Sequence, residues 1–136
     1  MAILLDTNIL VYFSDSDSPF HEAVKSFLQN TQETLVIATQ SLFEFTAVLT
    51  KLGAKSEDVL LRVNLFRKFV EVKEIKENVI SRFFEFIQKY ELRGNRVYDA
   101  LIVATAVEHG INEVVTFDSD FKKFSEIKVL DVSESD

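Results

Sequence analysis

The chain has 136 residues, 47% of them apolar, which suffices for one domain with a substantial core. Its formal net charge of −7 argues against a generic nucleic-acid-coating protein, which is normally basic, although acids gathered around bound cations would reverse the sign locally. The absence of cysteine removes disulfides, zinc–thiolate centres and thiol nucleophiles, and it suits a cytoplasmic setting.

The opening Met1-Ala2-Ile3-Leu4-Leu5-Asp6 has no basic leader and meets an acid after four apolar residues, so it does not read as a signal peptide. Ile3–Leu5 predicts a short buried strand, and Asp6-Thr7-Asn8 begins a helix. Pro19 suits the first turn of a second helix, with Ser18 as its N-cap and its end near Asn30. Leu35–Ala38 predicts the second strand. Thr39 or Ser41 then caps a helix whose Leu42, Phe45, Leu49 and Leu52 follow the 3.6-residue period and stop at Gly53.

Ser56, Glu57 and Asp58 open the next helix, and Val70-Glu71-Val72 alternates as a third strand. A long helix runs to about Leu92, with Ile80, Phe83, Phe84, Ile87 and Tyr90 inward. Arg93-Gly94-Asn95 is a turn, with Asn95 as N-cap of a helix over Val97–His109 that ends at Gly110. Val114–Thr116 is a strand, Asp118–Phe124 a short helical turn, and Val129-Leu130 a final strand. The longest apolar stretch, Val97–Val107, is interrupted by Asp99 and falls well short of the roughly 20 residues that span a bilayer, so a soluble protein is expected. Strands alternating with helices predict a three-layer α/β/α sandwich around a mostly parallel sheet. One domain is expected over residues 1–132, with a short frayed tail at 133–136.

In parallel α/β folds, sites form beyond the carboxyl ends of the strands. Asp6 ends the first strand and Asp118 follows the Val114–Thr116 strand, which places both on one rim. Either also suits a helix or turn cap. Glu44 begins as an ordinary surface glutamate, but its position early in a helix after the second strand brings it to the same rim. Asp99 is the least structural of the four. It projects from an apolar stripe with Ile102, Val103 and Ala106, and no Lys or Arg follows within two helical turns. An ionised carboxylate there is costly unless it is paired, hydrogen-bonded or bound to a metal. The helix dipole offers only about 0.3–1 kcal/mol, and an ion pair to Arg93 or Arg96 is the competing explanation. Several carboxylates on one rim, without a cysteine or histidine cluster, form a hard-oxygen set suited to Mg²⁺ or Mn²⁺. Such a site hydrolyses phosphodiesters without a histidine base.

The blocks Leu4-Leu5-Asp6-Thr7-Asn8-Ile9-Leu10, Glu44, Tyr98-Asp99-Ala100-Leu101-Ile102-Val103-Ala104-Thr105-Ala106 and Val115-Thr116-Phe117-Asp118-Ser119-Asp120-Phe121 occur in an order and spacing that resemble the PIN-domain family over essentially the whole chain. The resemblance is specifically to the small ribonuclease toxins of toxin–antitoxin pairs. It implies a PIN fold and Mg²⁺- or Mn²⁺-dependent cleavage of RNA by Asp6, Glu44, Asp99 and Asp118. Asp120 either joins the metal ligands or caps the following turn. Asn8 and Thr116 fall on polar positions that orient carboxylates or a metal-bound water. The resemblance further implies a homodimer held in check by a cognate antitoxin. Arg93 and Arg96 are candidates for holding substrate phosphate, whereas Lys89, His21 and His109 read as surface residues. Tyr12 and Tyr98 read as core before base-stacking groups. Two other readings are a non-catalytic RNA-binding or scaffold domain on the same fold, and a phosphatase-like hydrolase with Asp6 as nucleophile. The second is weakened by Asn8 standing where another acid is expected.

Overall fold

The computed structural model describes residues 1–132, and the expected tail at 133–136 lies outside them. Five strands form one parallel sheet: β1 (Ala2–Leu5), β2 (Thr34–Ala38), β3 (Glu71–Lys73), β4 (Glu113–Val115) and β5 (Lys128–Leu130), in the order β3-β2-β1-β4-β5. The connecting helices are α1 (Thr7–Ser14), α2 (His21–Asn30), α3 (Thr39–Lys51), α4 (Ser56–Phe69), α5 (Glu77–Tyr90) and α6 (Arg96–Glu108); a 3₁₀ helix covers Ser119–Lys123. No helix among the described residues is long and apolar enough to cross a membrane.

Continuous apolar strands arise because both faces of this sheet are covered. Side chains alternate across a strand, so Ile3 and Leu5 of β1 enter one core while Leu4 enters the other. Leu35 and Ile37 of β2 join the first core with Phe45, Val59 and Phe66 from α3 and α4. Val36 and Ala38 join the second with Val79 and Phe86 of α5 and Ile102, Val103 and Ala106 of α6. The expected α/β/α sandwich is therefore present, with α6 buried along most of its length.

Helix starts depart from the sequence expectation. Pro19 lies before α2, and the Ser18 hydroxyl accepts from the Phe20 N–H at 3.1 Å in a local turn instead of capping the helix. Neither Thr39 nor Ser41 caps α3. The Thr39 hydroxyl donates to the Lys73 carbonyl at 3.0 Å, tying α3 to β3, and buried Ser41 bonds Thr7 at 3.0 Å. Asn95 precedes α6 without a side-chain capping bond. Tertiary partners outbid local capping in each of the α3 cases.

The strand order makes β1 the place where the chain reverses direction across the sheet, with β2 on one side and β4 on the other. Ligands bind at such switch points, beyond the carboxyl ends of the strands. Leu5 pairs with Val115, and the Asp6 N–H donates to the Val115 carbonyl at 3.0 Å. Residues 6 and 116 consequently leave the sheet side by side.

Candidate metal centre

Asp6 sits at the end of β1 with both carboxylate oxygens engaged. Oδ1 accepts from the Thr7 N–H at 2.7 Å, and Oδ2 accepts from the Thr116 hydroxyl at 2.8 Å. The Thr116 oxygen in turn accepts from the Asp118 N–H at 3.0 Å, and Asp118 Oδ1 accepts from the Asp120 N–H at 2.9 Å. The capping roles of Asp6 and Asp118 thus coexist with a shared rim. Burial drives the Asp6 carboxyl up to about 6; the hydrogen bonds from Thr116 and Thr7 oppose the rise, and the charges of Asp99 and Glu44 add to it.

Glu44 projects from the first half of α3 and accepts from the Gln40 amide at 2.6 Å, with Thr7 Oγ1 at 3.4 Å. Burial again raises its carboxyl above the ordinary value, and Asp99 contributes in the same direction. Asp99, in the first turn of α6, is likewise raised by burial and by Asp118, against the opposing effect of Arg96. These three acids therefore face one another across β1 at a range where like charge is felt.

The other half of the cluster is closed by Arg96. Its Nη1 donates to Asp118 Oδ2 at 2.8 Å and to Asp99 Oδ2 at 3.2 Å, while Nη2 pairs with Asp120. The ion-pair explanation for Asp99 is thus realised, but one guanidinium serves three carboxylates. Arg93 is exposed and forms no ion pair among the described residues. Lys89 is not simply solvated: it pairs with Glu126 at 2.6 Å. The two histidines are half-buried, and each has a ring nitrogen on a backbone carbonyl, His21 on Tyr12 at 3.0 Å and His109 on Glu74 at 2.9 Å.

Asp6, Thr7, Asn8, Val11, Tyr12, Glu44 and Val48 line an open cleft of about 350 Å³. Asn8 lines it without bonding a carboxylate, and its buried Oδ1 has no hydrogen-bond partner. Tyr12 stands at the cleft wall against Phe20 and Phe117, whereas Tyr98, expected as core, is exposed. Sequence reasoning missed Thr7 and Gln40 as supports of Glu44. The i,i+4 spacing of Gln40 and Glu44 on one helix was the available signal.

The donors present are hard oxygens, and their mutual repulsion is the condition a divalent cation relieves. They fit Mg²⁺ or Mn²⁺ in kind and charge, and Arg96 already stands as a cation on three of them. As the side chains lie, no three His, Cys, Asp or Glu among the described residues converge closely enough to enclose an ion.

The family model of the PIN domain matches residues 3–127. The chain belongs to the PIN-domain family. It is 28% identical over 143 aligned positions to Ribonuclease VapC48 of Mycobacterium tuberculosis, covering 96% of this chain and 97% of that protein. Among solved structures, it superposes on the M. tuberculosis toxin VapC20, described as cleaving the sarcin–ricin loop, with a TM-score of 0.77 at 18% identity, covering 93% of this PIN chain and 98% of that one. A TM-score of 0.72 at 22% identity relates it to a chain of the Rickettsia felis VapBC2 complex bound to a promoter DNA fragment, over 96% and 98% of the two chains. These superpositions place the α/β/α layers described above within the PIN fold.

Proposed function

We propose that this PIN domain is a metal-dependent endoribonuclease that hydrolyses RNA phosphodiester bonds and acts as the toxin of a toxin–antitoxin pair. The observation that carries the reading is the arrival of Asp6, Glu44, Asp99 and Asp118 from β1, α3, α6 and the β4 exit on one rim, where burial and mutual repulsion raise three of the four carboxyls. The similarity to proteins named as ribonucleases supports RNA as the substrate, and the toxin–antitoxin complexes among the similar folds support a cognate antitoxin; a homodimer is proposed alongside it from the family resemblance.

Asp6, Glu44, Asp99 and Asp118 would hold Mg²⁺ or Mn²⁺, with Asp120 at the margin. When bound, the ion supplies Lewis-acid stabilisation of charge on the phosphodiester and favours ionisation of the attacking water. The protein's own contribution is positional. Thr116 fixes Asp6 relative to Asp118, and Gln40 and Thr7 fix Glu44, as supporting hydrogen bonds do around metal ligands generally. Asn8 lines the cleft, where its amide would orient a carboxylate or a water. A phosphoenzyme on Asp6 has less support, because both of its oxygens already accept hydrogen bonds.

Cleavage of a labelled RNA should require Mg²⁺ or Mn²⁺ and fall by at least about 100-fold in Asp99→Asn, with an unchanged circular dichroism spectrum. Equal cleavage by the variant, or by wild type in EDTA, would refute the mechanism.

A further inference from the structure

The acidic rim is electrostatically uneven. On one side Asp6 and Glu44 line an open cleft, and each feels the like charge of Asp99. On the other, a single guanidinium grips Asp99, Asp118 and Asp120 from the first residue of α6. Arg96 is 46% exposed, so its side chain has room to swing outward without disturbing the core. The two carboxylate oxygens it binds through Nη1, Asp99 Oδ2 and Asp118 Oδ2, belong to acids of the proposed metal set.

We propose that Arg96 is a built-in counter-cation, which holds Asp99, Asp118 and Asp120 in the metal-free protein and competes with a divalent metal ion for them, so that loading requires its release. The inference rests on the metal-dependent reading above and adds a regulating residue to it. Competition follows from geometry, because an oxygen committed to a guanidinium fork cannot take up a compact ion's coordination shell at full strength. It also follows from charge. The arginine offsets repulsion that would otherwise splay the acids, so the site stays assembled while it waits for metal. Release then exposes a planar fork beside the rim, a shape suited to a phosphate of the incoming RNA.

A ligand that binds only the arginine-free arrangement loses apparent affinity in proportion to how rarely that arrangement occurs. If the clasp is closed in about 90% of molecules, removing it tightens metal binding about tenfold. Mn²⁺ binding to the full chain, measured by calorimetry and by electron paramagnetic resonance, should therefore tighten about tenfold in Arg96→Gln. Arg96→Lys, which keeps the charge but loses the fork, should fall between the two. In the wild type, the guanidinium ¹H and ¹⁵N resonances of Arg96 should show hindered rotation without metal and free rotation after Mg²⁺ is added. Unchanged or weaker Mn²⁺ binding in Arg96→Gln, or guanidinium signals indifferent to Mg²⁺, would overturn the proposal. So would Arg96→Lys behaving as wild type while Arg96→Gln tightens, since field alone would then account for the effect. If neither wild type nor Arg96→Gln binds Mn²⁺, the metal-dependent reading itself fails and this inference with it.

Discussion

Asp6→Asn should make this protein more stable near neutrality while abolishing its proposed activity. The carboxyl of Asp6 moves from 3.8 to about 6 on folding, chiefly because burial disfavours its charge. A displacement of that size corresponds to about 3 kcal/mol. The native state holds its proton more tightly than the unfolded chain, so the contribution is fully present below about pH 4 and is lost as pH rises through about 6. Asparagine carries no charge to desolvate, which removes this loss. It has one acceptor oxygen for two donors, Thr7 N–H and Thr116 O–H, and the lost bond costs about 1 kcal/mol at every pH. The diagnostic quantity is therefore the slope. Urea denaturation in EDTA between pH 4 and 7.5 should show the variant gaining about 3 kcal/mol on wild type across the window. Parallel curves would refute the assignment to Asp6 of a charge that burial disfavours more than its hydrogen bonds offset.

Thr116→Val keeps the shape of a side chain that is 1% exposed but deletes the link between Asp6 and the Asp118 N–H. It should cost about 1–3 kcal/mol in chemical denaturation and lower RNA cleavage more than it lowers RNA binding. Phe45→Ala should cost about 3–5 kcal/mol in the same assay, because Phe45 is wholly buried next to Glu44 and packs edge-on against Phe66.

The strands and α6 were legible because each obeys a rule of burial. Ile3–Leu5, Leu35–Ala38 and Val114–Val115 are apolar on both faces, and nearly every residue from Ala100 to Ala106 is buried. The shared rim was legible because Asp6 and Asp118 follow strands that the sheet makes neighbours, and Asp99 drew notice because it stands in an apolar stripe. What the chain concealed was decided by partners distant in sequence. Thr39 turns from capping to the Lys73 carbonyl, Ser41 turns to Thr7, and Arg96 reaches across 22 residues to Asp118. A one-dimensional pattern ranks Arg96 and Arg93 alike, and only the approach of the 3₁₀ segment to the start of α6 separates them.

The pairing of β1 with β4 also bears on when the site is assembled. The hydrogen bond between Thr116 and Asp6 joins residues 110 positions apart. Asp118 follows Asp6 by 112 residues, so the quartet is incomplete until that whole span has been made. The β4 strand must then dock beside β1 before Thr116 can reach the carboxylate it orients. On the proposed reading, a complete site therefore waits on the docking of β4, because its parts come from distant points of the chain.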